Sequence, residues 1–300
     1  RLARHALDQY GITPRSIRMV REGFCTTFRV MDHDRQVYAL KAGRMGTETV
    51  ESLRFEAELV AHIRAHGLPV PQVVLSSDGT PVVVATDCIA GTRPCILYTW
   101  LPGRRELGRM SMRAGRELGR LLGRMHSAME TFRPSRCERK TWRVKQMCGW
   151  WRGPDPLEDR LTRDELRLVR VWEKRIAASW RRKRDVSSWG PVLADVGPHN
   201  VLWHEGVASL IDFNDTGWGL SAYDLAVLWH SAIDRRQTAC DAVIGGYASV
   251  RAIPGGWGPP MQAAALIRVL RHRITRGRDH RKALGLLLDI SEEKTSMSSS

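Results

Sequence analysis

Five polar side chains in this 300-residue chain stand at the ends of apolar runs or inside an amphipathic one: Lys41, Glu56, Asp195, Asn200 and Asp212. Lys41 closes the strand-like run Val37-Tyr38-Ala39-Leu40, and Glu56 sits in the stretch that follows. An ammonium buried alone is costly, so Lys41 requires an anion, and either the Glu56 carboxylate or phosphate oxygens would serve. Asp195 and Asn200 lie in a stretch broken by Gly197 and Pro198, and Asp212 follows the run at residues 208–211. Such a loop can turn a carboxylate toward a hydroxyl, while the Asn200 amide oxygen and the Asp212 carboxylate meet a hard cation such as magnesium. A lysine on phosphates, oxygen ligands for a metal and an aspartate that takes a hydroxyl proton are the parts phosphoryl transfer needs. Each residue alone has a plainer reading: Asp and Asn cap turns, and a lysine can simply pair with a surface carboxylate.

The elements that must position these groups follow from patterning. Residues 1–10 read as a short helix ending at Gly11, followed by strands near 16–22, 26–31 and 36–42, the last two joined by a hairpin turn at Asp32-His33-Asp34-Arg35. An amphipathic helix spans roughly 47–66, stopped by Gly67-Leu68-Pro69. Strands at "QVVLSS" and "PVVVAT" flank Asp78-Gly79-Thr80, and a third, "PCILYTW", runs into Leu101-Pro102-Gly103. Beyond Gly103 the chain becomes helical, apart from strands around residues 190–212. There the runs at 201–203 and 208–211 predict a hairpin holding Asp195 and Asn200 at one end and Asp212 at the other. The expected organisation is α+β and bilobed: a strand-rich nucleotide-binding lobe over 1–102, a helix-rich lobe with the catalytic and acceptor-binding parts over 103–292, and a disordered tail over 293–300.

The ordered set of short motifs resembles the aminoglycoside phosphotransferase and choline kinase superfamily. "LADVGPHN" matches a pattern of H-x-D-x-x-x-x-N, Ile211-Asp212-Phe213 matches I-D-F, and Tyr223-Asp224-Leu225-Ala226 matches Y-D-L-A. Upstream, "TTFRV", "YALK", the Glu56 helix, "GLPVP" and "LYTWLPG" fall in the family's order, so the resemblance covers nearly the whole chain. It implies a protein-kinase-like fold with a small antiparallel sheet and an ATP- and magnesium-dependent kinase that moves the γ-phosphate to an alcohol, with antibiotics among the family's acceptors. Carried over by position, Lys41 touches the α and β phosphates and Glu56 orients it, with Glu58 as the alternative partner. Asp195 is the catalytic base, Asn200 and Asp212 hold magnesium, and Trp100 and Leu101 present backbone groups to adenine. With no Gly-rich loop and no Walker A motif, phosphate grip falls to Lys41 and the backbone near Cys25 to Thr27, with Thr26 at its centre. Asp224 supports the active-site loop or caps the helix after it.

The chain departs from the pattern at Leu193, where the family has His; leucine packs there but cannot make the hydrogen bond, which predicts a less rigid loop. His199 reads as a packing or surface residue and His126 as a buried, hydrogen-bonded one. The net charge of +15 admits a polyanionic partner, but the basic residues are spread along the chain, and only Arg181-Arg182-Lys183-Arg184 forms a dense run. Trp172, Trp203 and Trp229 fall in apolar or helical patterns, as core residues do, so nucleic acid is not the expected partner. A small-molecule hydroxyl acceptor is. The basic balance argues against a polycationic acceptor unless carboxylates such as Asp155, Glu158, Asp159, Asp215 and Asp234 gather at its site. Six scattered cysteines without metal spacing read as reduced thiols of a cytoplasmic protein, and no apolar run is long enough to span a bilayer. Two other functions stand beside the small-molecule kinase: a catalytically silent nucleotide-binding regulator and a protein serine/threonine kinase of the stress-response type. The oligomeric state is not read from the sequence.

Overall fold

The computed structural model describes residues 1–23, 25–106, 110–135, 141–149, 154–182, 188–233 and 237–297. In chain order its first elements are α1 (Leu2–Gln9), β1 (Pro14–Arg21), β2 (Thr26–Asp32), β3 (Val37–Ala42), α2 (Val50–Ala65), β4 (Val73–Val74), β5 (Val82–Asp87) and β6 (Gly91–Thr99). Next come α3 (Met112–Met129), α4 (Val144–Met147), α5 (Arg163–Arg182), β7 (Trp189–Val192), β8 (Val201–His204) and β9 (Val207–Leu210). The last are β10 (Gly217–Leu220), α6 (Ser221–Ile233), α7 (Gln237–Ala248), α8 (Pro259–Thr275) and α9 (Arg281–Met297). α9 thus continues through residues 293–297, where a tail was expected. The chain divides into two compact units, one of residues 1–106, 131–139 and 199–214, the other of residues 107–130, 140–198 and 215–300. The β8–β9 hairpin therefore groups with the sheet and not with the helices.

The first unit is built on an antiparallel sheet of order β1-β2-β3-β6-β4, with β5 also paired to β6. Side chains alternate across a strand, so its two faces carry different residues. Val30, Leu40, Ala42, Cys95, Leu97, Val83 and Ala85 pack on one face with Leu2, Ala3, Ala6 and Leu7 of α1. The register pairs Lys41 with Thr27 on one side and Ile96 on the other, which places these three on the opposite face. Thr49 and Ser52 form a reciprocal capping box, each side chain accepting the other's backbone N–H at 3.0 Å, so α2 begins at Val50 rather than at residue 47. Its buried stripe contains Leu53, Phe55, Leu59, Val60 and Ile63, with Glu56 the polar exception. "QVVLSS" contributes only the two residues of β4, because Ser76 already belongs to a turn in which it bonds Asp78 and Thr80.

Two backbone ties fix the hairpin within this unit. Arg104 and Trp203 exchange both backbone hydrogen bonds, at 3.0 and 2.9 Å, and Leu210 N–H donates to Pro69 O at 3.0 Å. Gly103 permits the first tie: its φ is +118°, and a Cβ there would lie 2.7 Å from the Trp203 carbonyl oxygen.

The second unit is mainly helical, with β7 paired antiparallel to β10. α3 and α7 approach closely because a side chain at Gly119 would collide with the Val243 carbonyl, and one at Gly246 with the Arg116 carbonyl. Trp142, Trp172, Tyr223 and Tyr247 are fully buried in this unit, and Trp229 is nearly so. Trp203, expected in a core, is only half-buried on β8 of the first unit. Lys183 and Arg184 of the basic run lie outside the described residues.

Candidate active site

Lys41 Nζ donates to both carboxylate oxygens of Glu56, at 2.6 and 2.7 Å, and the Tyr98 hydroxyl donates to Glu56 Oε1 at 2.8 Å. Both members of the pair are buried. Burial works to discharge the ammonium, but Glu56 and, more weakly, Cys25 and Asp212 outweigh it, so the Lys41 pKa stands above its ordinary value. Glu56 is thus the partner of Lys41, while Glu58 accepts from the Ser135 backbone N–H at 2.8 Å.

Asn200 and Asp212 flank the hairpin. Val201 pairs with Leu210, and the Asn200 carbonyl accepts from Ile211 N–H at 2.8 Å. In an antiparallel hairpin the start of the first strand and the end of the second coincide, so Asn200 and Asp212 leave from the same end, not from opposite ends as the sequence led us to expect. Asn200 is fully buried. Asp212 adopts a left-handed backbone, φ +66°, rare for a residue with a side chain, and its Oδ2 accepts from Arg21 Nη1 at 2.7 Å. Cys25 donates to Asn214 Oδ1 at 3.3 Å, and burial pushes its thiol up to about 11.

Thr26 is buried at the head of β2, but opposite Ala42, on the α1 face of the sheet, where its hydroxyl accepts from Arg93 Nη2 at 3.0 Å. Its side chain is therefore not brought to the Lys41 face; Thr27 is. Phe24 lies outside the described residues. At the end of β6, Trp100 N–H donates to Val37 O at 3.0 Å, so that donor is committed within the sheet. The Trp100 ring is partly exposed, with the Arg29 guanidinium 5.5 Å from its centroid, and Leu101 is half-buried.

Asp195 belongs to the second unit, on the loop after β7. Asp224, in the first turn of α6 and fully buried, accepts from Leu193 N–H at 2.8 Å and from Ala194 N–H at 2.6 Å. It thus supports the loop and does not cap the helix. His126 is buried as expected, with Nε2 3.1 Å from Asp224 Oδ2 and Nδ1 2.8 Å from the Tyr247 hydroxyl. A carboxylate only accepts, so Nε2 donates to Asp224. His199 is exposed. Leu193 packs in the interior, 3% exposed, and the loop is braced through its backbone instead of through an imidazole.

Sequence reasoning missed Arg268 on α8. It donates to the Ala194 carbonyl, to the Tyr223 hydroxyl at 3.3 Å and to Asp215 Oδ2 at 3.0 Å, and lies 3.7 Å from Asp195 Oδ1. Burial opposes its charge, but Tyr223, Asp215 and Asp195 outweigh it and raise its pKa. An arginine on an amphipathic helix gives no sequence signal of such a role. Among the acidic residues considered for a cationic acceptor, Asp155 pairs with Arg271 and Arg170, Glu158 with Arg170, and Asp215 with Arg268. Asp159 is exposed, and Asp234 lies outside the described residues.

The profile of the phosphotransferase enzyme family matches residues 16–260. The chain belongs to that family. It is 22% identical over 231 residues to the amicoumacin kinase of Bacillus subtilis, covering 76% of this chain and 66% of that protein. It is 29% identical over 218 residues to the homoserine kinase of Azorhizobium caulinodans, covering 71% of this chain and 62% of that one. The chain thus spans just under two thirds of the length of these two relatives. Among solved structures, an amicoumacin kinase in complex with AMP-PNP, Ca2+ and Ami superposes with a TM-score of 0.75 at 18% identity, covering 97% of this chain and 91% of the other. A microcompartment-associated aminopropanol kinase gives 0.74 at 20% identity, covering 97% and 93%. These likenesses show the expected kinase-like α+β fold. No helix among the described residues is long and apolar enough to cross a membrane.

Proposed function

We propose that this chain is an ATP- and magnesium-dependent O-phosphotransferase acting on a hydroxyl of a small molecule. The observation that carries the reading is the buried Lys41–Glu56 pair, which presents a charged, bidentately held ammonium on the sheet. Lys41 holds the α and β phosphates of ATP, and Glu56, braced by Tyr98, fixes its position. Adenine contacts fall to the Trp100 carbonyl and the Leu101 N–H, since the Trp100 N–H is already donated to Val37. Thr26 acts on phosphate through its backbone, its hydroxyl being turned to Arg93.

Asn200 and Asp212 fit a magnesium ion: both offer hard oxygen donors, both leave one end of the hairpin, and Asp212 already takes a cation, the Arg21 guanidinium, at 2.7 Å. No cluster of three or more acidic, His or Cys side chains suited to a metal occurs among the described residues, so phosphate oxygens and water would complete the shell. Held by Asn200 and Asp212, magnesium would offset the charge that builds on the leaving group. Asp195 takes the proton of the acceptor hydroxyl as that oxygen forms its bond to Pγ. The bond from Pγ to the β,γ-bridging oxygen breaks, and ADP leaves with the electron pair. The proton passes from Asp195 to solvent.

The pairing of Asp155, Glu158 and Asp215 with arginines supports an acceptor other than a polycationic antibiotic. The relatives' names suggest where to begin: homoserine, aminopropanol and amicoumacin, with aminoglycosides as the contrasting set. ADP release from Mg-ATP across these acceptors tests the proposal, and release stimulated by one of them is the expected result.

A further inference from the structure

Ala194, the residue before Asp195, has φ +60°, a left-handed backbone that is unfavourable for a non-glycine residue and persists only where its surroundings hold it. Two groups hold it. Asp224 accepts its N–H at 2.6 Å, and Arg268 donates to its carbonyl. Arg268 is itself fixed on every side within the second unit: Asp215 at 3.0 Å, the Tyr223 hydroxyl at 3.3 Å, and the Trp142 ring with its centroid 5.0 Å from the guanidinium carbon. Trp142 in turn donates its indole N–H to the Asp215 carbonyl at 2.8 Å. The stem is confined too, since a Cβ at Gly149 would lie 3.1 Å from the Arg268 Cα. One guanidinium nitrogen then stands 3.7 Å from Asp195 Oδ1, within ion-pair reach but beyond hydrogen-bond length.

The family match ends at residue 260, so Arg268 lies outside the matched segment. We propose that Arg268 is a positioning residue for Asp195, bracing from α8 the peptide that precedes it. The proposal rests on the reading of Asp195 as the proton acceptor. In this role Arg268 fixes the peptide on which the base is carried. Its loss should therefore act on turnover and leave ATP binding alone.

The test compares wild type, Arg268→Gln and Arg268→Lys by ADP release from Mg-ATP, with the acceptor that stimulates wild type most. Amide hydrogen exchange is followed in parallel on the peptide covering residues 193–197 and on the β2–β3–β6 sheet. Misplacement of a reacting group by about 1 Å costs on the order of 100-fold, so kcat for Arg268→Gln should fall by that factor while KM for ATP stays within about threefold. Exchange should rise at 193–197 and not in the sheet. Arg268→Lys, which keeps the charge but not the fork geometry, should recover part of kcat. If Arg268→Gln does not fold, Arg268→Lys carries the same split of kcat against KM. Equal kcat in wild type and variants, or exchange rising equally throughout, overturns the positioning role alone. A wild type that releases no ADP with any acceptor overturns the proton-acceptor reading beneath it.

Discussion

Lys41 and Glu56 form a two-armed ion pair, 2.6 and 2.7 Å, with both side chains nearly removed from solvent and Tyr98 closing the remaining side of the carboxylate. Removing one partner of such a pair leaves the other charge buried alone, which typically costs about 3–5 kcal/mol, more than the pair itself contributes. Glu56→Ala is therefore expected to lower urea stability by about that amount. Lys41→Met with Glu56→Gln should lose less than the sum of the two single changes. Additive losses in this double-mutant cycle would show that the pair is not coupled.

Asp212 is held by Arg21, whose side chain is 54% exposed, so the bond is worth only about 0–1 kcal/mol. Arg21→Ala should leave stability within about 1 kcal/mol of wild type. With the guanidinium gone, less magnesium should be needed for half-maximal turnover. Asp212→Ala should cost about 10²–10³-fold or more in turnover while the fold persists. Thermal unfolding and magnesium titrations of the two variants separate these effects.

Asp224 satisfies two backbone donors of the Asp195 loop and His126 at once. An amide has one acceptor oxygen where the carboxylate has two, so Asp224→Asn leaves a buried donor unmet, at about 1–3 kcal/mol. The loss should appear in urea unfolding, with turnover falling further than the folded fraction. Stability equal to wild type would contradict the loop-bracing role.

Asp155 and Arg271 predict an acid dependence. Burial alone would raise the Asp155 pKa, but the hydrogen bond and charge of Arg271 outweigh it, so the folded value lies below the ordinary 3.8. A depressed carboxylate contributes stability that is fully present above the unfolded pKa and is lost as pH falls through the folded value. Wild type should exceed Asp155→Asn in stability near neutrality, and the gap should narrow below about pH 4. A gap independent of pH would rule out the ionised carboxylate as its source.

Much of the fold was legible because its signals are local. The alternation around residues 26–31 and 36–42, and the apolar stripe from Leu53 to Ile63, locate β2, β3 and α2 to within a few residues. Lys41 and Glu56 stood out as charges in apolar patterns, and their bond confirms that pairing. What the sequence misplaced depends on pairing between distant segments. Which face Thr26 takes is set by register with β3, and which end of the hairpin carries Asp212 is set by strand direction. The clamp of Arg268 on Ala194 joins residues 74 positions apart, so it leaves no periodicity to read.

The most direct measurement is ADP release from Mg-ATP by wild type and Asp195→Asn side by side across the acceptor panel, together with the thermal shift each shows on adding Mg-ATP. We expect acceptor-stimulated release from wild type alone, with the same nucleotide-induced shift in both. Undiminished release from Asp195→Asn would contradict the role of Asp195. A wild type that binds Mg-ATP but turns over no acceptor would favour a nucleotide-binding regulator over a phosphotransferase.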